Sequence, residues 1–219
     1  MQKFVRSVYA DHNDSQAVVR ALTAVIEAQG PDAVMINIGA GATRLHPRMK
    51  SLEIEAGPGI DFVGSAENLP FADNSVDLIV TQEVLEYVPD PFRAMREIHR
   101  ALKPGGRAYV QLPFIIGYHP TPQDYWRFTE HGIRQLAEQA GFVAARADTS
   151  VGPSTGFYRI AVEFGAILFS RPIPRLYKLA KGGFALILYP LKWLDGLLIG
   201  HPEADRIAGG YFITVVKGD

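Results

Sequence analysis

Residues 69–113, LPFADNSVDLIVTQEVLEYVPDPFRAMREIHRALKPGGRAYVQLP, decide the fold of this chain. An Asp-Asn-Ser turn precedes a short apolar run, which predicts a buried strand over Val76–Val80. The next segment has a proline in its first turn and predicts an amphipathic helix ended by two glycines. The predicted buried stripe of this helix is Phe92, Met95, Ile98 and Leu102. RAYVQLP then predicts a second buried strand, so the stretch is a strand–helix–strand unit.

The flanking sequence continues the same alternation. A helix is predicted over about Ser15–Ala28, and a strand follows it that ends near Ile38. SLEIE and IDFVG predict two short strands, VAARADT a sixth strand and GYFITVVKG a last one. Before VAARADT, Thr129 and Gly141 bound another predicted helix. This pattern indicates a parallel α/β sheet with helices on both faces, in which ligands bind beyond the carboxyl ends of the strands.

Composition narrows the class of protein. The chain has 219 residues, enough for one domain over residues 1–219. Its 22 basic and 23 acidic residues nearly balance, which argues against a nucleic-acid partner. The chain has no cysteine and no pair of acids or histidines at metal-binding spacing, so we predict no metal site. The first residues lack the apolar run of a signal peptide, so a cytoplasmic location is expected.

Two loops at the carboxyl edge of the predicted sheet have the chemistry of a nucleoside site. Gly39 and Gly41 follow strand one and permit a tight turn with close approach to a ligand. Arg44 stands where a dinucleotide site has its third glycine, which argues against NAD and leaves a plain strand-to-helix turn as the alternative. Strand two ends at Glu53, whose carboxylate is suited to the two hydroxyls of a ribose or, alternatively, is simply a solvated acid.

The order of these pieces resembles the class I S-adenosylmethionine-dependent methyltransferases, type 11 branch. INIGAG, then LEIE, then the stretch from GSAENLPF to QLPF carry the resemblance, which covers residues 33–114 well and extends loosely to about 145. It implies a Rossmann-like seven-stranded methyltransferase sheet that binds S-adenosylmethionine. By residue, it implies that Gly39, Gly41 and Gln82 adjoin the methionine part of this cofactor. Glu53 would hold the ribose hydroxyls, and Ser65 and Ala66 would meet the adenine edge.

Two residues depart from the family pattern. Asn37 replaces the acid before the first glycine, which removes a charge near the ammonium group of the cofactor. Ser65 replaces the acid expected at the adenine amino group, so any hydrogen bond there has a shorter reach. AGPGI, between strands two and three, is too short for the usual helix, and we expect that side of the pocket to be more open.

HPTPQDYWRFT, residues 119–129, follows strand five, where this fold faces the transferred methyl group. It is similar to a motif of type 11 relatives associated with polysaccharide biosynthesis. His119 is the predicted base that removes the acceptor proton, and Asp124 would orient it or act as base itself. Tyr125 and Trp126 offer flat faces to a sugar ring, and Arg127 could pair with a phosphate or carboxylate. Alternatively, Asp124 and Arg127 pair with each other and the aromatics only bury the lid.

Residues 152–208 are interpreted as a hydrophobic helical insertion before the last strand. SRPIPRLYKLAKGG is basic, and FALILYPLKWLDGLLIG is apolar but interrupted by Lys192 and Asp195, so its uncharged stretches are too short to span a bilayer. A cap over the acceptor pocket or a homodimer surface is favoured. A peripheral element at the inner membrane surface is the alternative.

The sequence therefore predicts a methyltransferase, acting through O-methylation of a glycan or another hydroxylated acceptor, which a lipid could carry. A small-molecule methyltransferase whose pocket lies in the insertion is the first alternative. The second is a cofactor-binding sensor or scaffold without turnover, which Asn37 and Ser65 keep open.

Overall fold

A computed structural model describes residues 15–41, 44–120, 122–143 and 147–218. It contains a seven-stranded sheet in the order β3-β2-β1-β4-β5-β7-β6. The strands are β1 Met35–Ile38, β2 Lys50–Glu53, β3 Phe62–Val63, β4 Val76–Gln82, β5 Leu102–Pro113, β6 Ala147–Val151 and β7 Gly210–Val216. The first five run parallel, and β7 lies antiparallel between β5 and β6. This is the predicted Rossmann-like methyltransferase sheet.

Helices cover both faces of the sheet, as the sequence predicts. They are α1 Gln16–Glu27, α2 Pro91–Ala101, α3 Glu130–Gln139, α4 Pro153–Ser170, α5 Tyr177–Leu188 and α6 Asp195–Leu198. Helix α1 packs through Val18 and Leu22 on one face, where Leu78 and Tyr109 belong to the same buried cluster. Helices α2 and α3 pack on the other face, in a larger cluster with residues of β1, β4 and β5. The sheet is thus the middle of three layers, with its carboxyl edge left for a site.

Several predicted boundaries were wrong for local reasons. Helix α2 ends at Ala101 because Leu102 adopts an extended backbone and starts β5, although Leu102 is buried as predicted. Strand β4 continues past Val80 to Gln82. In the strand predicted from VAARADT, Val143 is not part of β6, which is described over Ala147–Val151, and residues 144–146 lie outside the described ranges.

The connections on the β3 side of the sheet are short. Residues 54–61, which link β2 to β3, form bends and turns rather than a helix, as the sequence predicts. Of the described residues between β1 and β2 (39–41 and 44–49), none is helical, so the alternative of a strand-to-helix turn after β1 was wrong. The loops at this edge therefore lie directly beside the strand ends.

Residues 153–199, which we call the hairpin, form two packed helices and the turns around them. Tyr158 and Val162 of α4 are buried together with Ala185 of α5. No helix in the described part of the chain is long and apolar enough to cross a bilayer. The role of the wider segment 152–208 as a cap, a dimer surface or a membrane element stays a prediction.

Asp195 caps the start of α4 from the far end of the hairpin. Its carboxylate accepts hydrogen bonds from the backbone N–H of Ser154 (2.7 Å) and of Thr155 (3.2 Å) and from the Thr155 hydroxyl (2.5 Å). The residue at the usual capping position, Gly152, has no side chain, and a Cβ there would lie 2.4 Å from the Asp195 carboxyl. A negative group at this helix end stabilises the exposed N–H groups.

Replacing Asp195 by Ala should lower the free energy of unfolding by about 1–2 kcal/mol, because the first N–H groups of α4 lose their acceptor. Urea unfolding of the two proteins measures the difference. Asp32→Ala, at an exposed turn position, is the matched control and should change stability little. Equal losses in both variants would show that Asp195 does not cap α4.

Candidate cofactor and acceptor site

The turn after β1 approaches the loop after β4 so closely that only glycine fits. Gly39 has φ +67°, and a Cβ built on it would lie 2.2 Å from Cγ2 of Val84. Gly41 also has a positive φ, +54°, but no atom lies within 4 Å of a Cβ built there. The two predicted glycines therefore serve different purposes. Gly39 permits contact between two loops, and Gly41 permits the turn itself.

Glu53 is fixed at the end of β2 by this turn. Its Oε1 accepts a hydrogen bond from the backbone N–H of Gly41, and its side chain is half-buried. A carboxylate has more acceptor positions than one N–H donor fills, so Glu53 keeps the capacity to bind a diol. The backbone at Gly39 donates to the Leu52 carbonyl (2.9 Å), which holds the two loops side by side.

A cavity of about 320 Å³ opens between these loops, large enough for a nucleoside-sized ligand. Of the predicted cofactor residues, Gly39, Glu53, Ser65 and Ala66 line it. The remaining lining residues come from the ends of β1, β2 and β3, the loop after β4 and the segment after β5: Ile38, Leu52, Ile54, Gly64, Glu83, Val84, Tyr87, Val88 and Pro122. Its walls are mainly apolar, with carboxylates from Glu53 and Glu83.

Three predicted cofactor residues, Asn37, Gly41 and Gln82, flank the cavity without lining it. Asn37 is buried inside β1, paired in register with Ser51 and Val80. Gln82 donates from Nε2 to the Gln111 side chain (3.3 Å). Their predicted cofactor contacts thus stay predictions. Ser65, which does line the cavity, already accepts a hydrogen bond from the Glu67 N–H at 3.1 Å.

The segment after β5 is anchored on the loop after β4. The Glu86 carbonyl accepts hydrogen bonds from the backbone N–H of Tyr125 (2.8 Å) and Trp126 (3.3 Å). The Trp126 indole N–H donates to the Val88 carbonyl (3.1 Å). Since Pro122 lines the cavity, this segment closes one side of the predicted cofactor site. Thr121 lies outside the described residues.

His119, Asp124 and Arg127 form one hydrogen-bonded cluster. The Arg127 guanidinium binds both carboxylate oxygens of Asp124, at 2.5 and 2.6 Å, and Asp124 is almost fully buried. Asp124 also accepts the backbone N–H of His119 (2.9 Å). His119 Nδ1 lies 2.9 Å from the Gly117 carbonyl and 3.6 Å from Asp124 Oδ2. The imidazole packs edge-on against Tyr87, a lining residue, with ring centroids 5.6 Å apart.

This geometry bears on the roles left open for Asp124 and Arg127. Hydrogen bonds from Arg127 lower the pKa of Asp124 below its ordinary value, which makes its carboxylate a weak base. The alternative in which the two residues pair with each other is observed. Arg127 also donates to the carbonyls of Gly117 (3.1 Å) and Trp126 (2.7 Å), so its guanidinium is engaged within the protein.

Glu86 is a site residue that the sequence analysis missed. Its side chain is fully buried, and neither carboxyl oxygen has a hydrogen-bond partner among the described residues. Burial, with a further contribution from the nearby Glu83 charge, raises the pKa of Glu86 from 4.5 to about 9. In the sequence, the only signal for Glu86 is an acidic side chain directly after the apolar Leu85 in a loop. At neutral pH it is a protonated acid beneath the segment that carries His119.

Comparison with known proteins agrees with this geometry. The family model described as a methyltransferase domain, type 11, matches residues 21–110. These residues span α1 to β5, including every loop of the cavity except that of Pro122. Residues 21–110 are therefore a methyltransferase domain of the type 11 family. The match confirms the family and the S-adenosylmethionine cofactor that were predicted from the sequence.

The chain is similar to a demethylmenaquinone methyltransferase of Paenarthrobacter aurescens, 35% identical over 125 residues, which are 56% of this chain and 45% of that protein. Among solved structures it is similar to the 1,6-didemethyltoxoflavin-N1-methyltransferase of Burkholderia thailandensis. That match has a TM-score of 0.57 and 16% identity, and it covers 100% of this chain and 87% of the other.

A third similar protein is phosphoethanolamine N-methyltransferase 2 of Haemonchus contortus in complex with S-adenosyl-L-methionine. The TM-score is 0.54 at 16% identity, over 98% of this chain and 56% of that one. Likeness at this identity shows the fold alone. The chain spans less than half the length of the curated relatives it matches.

Gly39→Ala should weaken S-adenosylmethionine binding at least about tenfold, because the new methyl group collides with Val84 and the positive φ is strained. Calorimetric titration measures the affinity. Gly41→Ala carries a similar φ without the collision, so its loss should be much smaller. Gly39→Ala/Val84→Ala should recover part of the affinity. Equal losses in both single variants, with no recovery, would contradict the steric explanation.

Glu86 should make the protein less stable as the pH rises. The folded state holds a proton on Glu86 that the unfolded state releases near pH 4.5, so the free energy of unfolding falls by about 1.4 kcal/mol per pH unit between there and about pH 9. Glu86→Gln should remove this decline. Urea unfolding between pH 5 and 9, compared between wild type and variant, isolates it from other titrating groups. Glu55→Gln, at an exposed position, should keep the wild-type profile.

Proposed function

We propose that the protein transfers a methyl group from S-adenosylmethionine to a hydroxyl group of a glycan or similar polyhydroxylated acceptor. The observation that carries this proposal is the contact between His119 and Tyr87, which joins the His119–Asp124–Arg127 cluster to the wall of the cavity. A candidate base thus lies beside the cavity of a methyltransferase domain.

The cavity supports a binding mode for the cofactor. Glu53 would accept the ribose hydroxyls, Ser65 and Ala66 would face the adenine, and Gly39 would allow the ligand to approach the backbone. When bound, the cofactor supplies an electrophilic methyl group on a sulfonium. Cofactor binding would depend on Asn37, Gly41 and Gln82 only indirectly. These residues do not line the cavity and would influence the conformations of the loops that do.

His119 is suited to remove the acceptor proton through Nε2. His119 Nδ1 lies 2.9 Å from the Gly117 carbonyl, which only accepts, and 3.4 Å from Nη2 of Arg127, which only donates. We assign the proton of the neutral ring to Nδ1, because the contact with the carbonyl is the shorter one. Nε2 then carries the lone pair. When an acceptor hydroxyl attacks the methyl group that the bound cofactor would supply, its proton would pass to Nε2. Asp124, held by Arg127, orients the ring and its backbone rather than taking the proton itself.

Tyr125 and Trp126 supply the acceptor surface in this proposal. Both side chains are partly exposed, Tyr125 by 47% and Trp126 by 37%, although Trp126 is fixed by its indole hydrogen bond to Val88. Flat, fixed aromatic faces stack on the apolar face of a sugar ring. Because Arg127 is engaged with Asp124, charge recognition of a phosphate or carboxylate by Arg127 is not part of the proposal.

His119→Ala should lower kcat by about 100-fold or more while the affinity for S-adenosylmethionine changes little, because the base acts only on the acceptor. Methyl transfer from labelled cofactor to a panel of nucleotide sugars and glycans measures kcat, and calorimetry measures affinity. His131→Ala is the matched control, since that histidine is exposed on α3. Asp124→Asn should lower kcat less, by loosening the ring.

Two other results would redirect the assignment. Methylation of small nitrogenous molecules alone would support the small-molecule alternative, and His119→Ala would then be close to wild type. Cofactor binding with no transfer to any acceptor in the panel would support the sensor or scaffold alternative. Equal activity of His119→Ala and wild type on a glycan would remove His119 as base.

A further inference from the structure

The hairpin concentrates the exposed apolar surface of the protein. Of the 26 large apolar side chains that are exposed in the described ranges, 16 lie between Phe157 and Ile199. On α4, Phe157, Ile160, Phe164 and Ile167 repeat at helical spacing and are 41–67% exposed, on the side away from the buried Tyr158 and Val162. A helix with two apolar faces in water lacks a partner for one of them.

The rest of the hairpin continues this surface. On α5, Leu179 is 74% exposed and Ile187 73%, while Ala185 faces α4 and is buried. After α5, Trp193 is 71% exposed and Leu197 77%. Water-exposed aromatic and aliphatic side chains at this density mark an interaction surface.

The charges on the hairpin show what kind of partner fits it. Residues 153–199 carry six basic and two acidic side chains, whereas the remainder of the chain carries 16 basic and 21 acidic ones. Both acids are used internally: Glu163 binds the Tyr177 hydroxyl and the Lys181 ammonium group, and Asp195 caps α4. Arg171, Arg175 and Lys178 are exposed around the turn between the two helices.

We propose that the hairpin docks the protein on the surface of an anionic lipid bilayer. Its apolar side chains would enter the interface, and Arg171, Arg175 and Lys178 would bind lipid phosphates. Exposed cations next to exposed apolar and aromatic side chains match the charge and polarity of such a surface. No described helix is both long and apolar enough to span the bilayer. A symmetric dimer through the same surface would place these cations against their copies, which is unfavourable.

The hairpin also borders the candidate acceptor site. A Cβ built on Gly117 would lie 3.4 Å from Cγ of Glu163 on α4, and the Gly117 carbonyl is the partner of His119 Nδ1. An acceptor carried by a lipid would therefore reach the site from the membrane. This last point rests on the proposed function, whereas the docking itself does not.

Co-sedimentation with vesicles of phosphatidylglycerol and phosphatidylcholine in equal parts tests the docking. Arg171→Glu/Arg175→Glu/Lys178→Glu should weaken binding at least about 100-fold, since three contacts with anionic headgroups become repulsions. The matched control is Arg20→Glu/Arg93→Glu/Arg107→Glu, which changes the net charge equally at exposed positions outside the hairpin and should bind like wild type. Wild-type binding to pure phosphatidylcholine should be much weaker.

A second variant tests the apolar contribution. Ile167→Ser/Leu179→Ser/Leu197→Ser, at positions 63–77% exposed, should lose vesicle binding at low and at moderate salt without loss of folding, measured by circular dichroism. Val19→Ser/Val143→Ser, exposed outside the hairpin, should keep it.

Absence of wild-type binding to the anionic vesicles would overturn the proposal. An equal loss of vesicle binding in Arg20→Glu/Arg93→Glu/Arg107→Glu, the control outside the hairpin, would overturn it too. A stable dimer by light scattering that the serine variant converts to monomer, without vesicle binding, would assign the surface to a second copy instead. Calorimetric titration of the charge-reversed hairpin variant with S-adenosylmethionine separates the docking proposal from the proposed methyl transfer. The cofactor affinity of this variant should equal that of wild type even where vesicle binding is lost.

Discussion

The close approach of Val84 to Gly39 is the constraint on which the site depends. It sets the loop after β4 against the turn after β1, and the cavity lies between them. The same loop then supports the acceptor side. The Glu86 and Val88 carbonyls hold the segment after β5, and Tyr87 packs under His119. The loop after β4 thereby positions both halves of the proposed site, and a group transfer would require such alignment of its two reactants.

Much of the fold could be predicted because its signals are local. The apolar runs of β1, β4 and β5, the Asp-Pro start of α2 and the glycines after it are all contained in single segments. Boundaries were less predictable: Leu102 suits a buried helix position and a buried strand position equally, and the strand was formed because β4 offered it hydrogen-bond partners. The absence of a helix between β2 and β3 was predictable because the connecting segment is too short to form one.

The sequence predicted several of the residues that form the site but not how they are arranged. The resemblance named Gly39, Glu53, Ser65 and Ala66, and all four line the cavity. The pairing of Asp124 with Arg127 was one of two alternatives, and only their positions after folding, with bonds to Gly117 and His119, decide between them. Glu86 was missed because burial determines its chemistry. Its protonated state is a property of the packed loop, and nothing in the neighbouring letters signals it.

The carboxylate of Asp195 on the start of α4 has a consequence for how the hairpin forms. Capping groups normally precede or begin the helix they serve, so a helix is complete as soon as its own residues are ordered. Here the acceptor for the N–H groups of Ser154 and Thr155 lies about forty residues further along the chain. Helix α4 is therefore complete only when α5 has turned back along it. The two helices should gain and lose protection from hydrogen exchange together, as one cooperative unit.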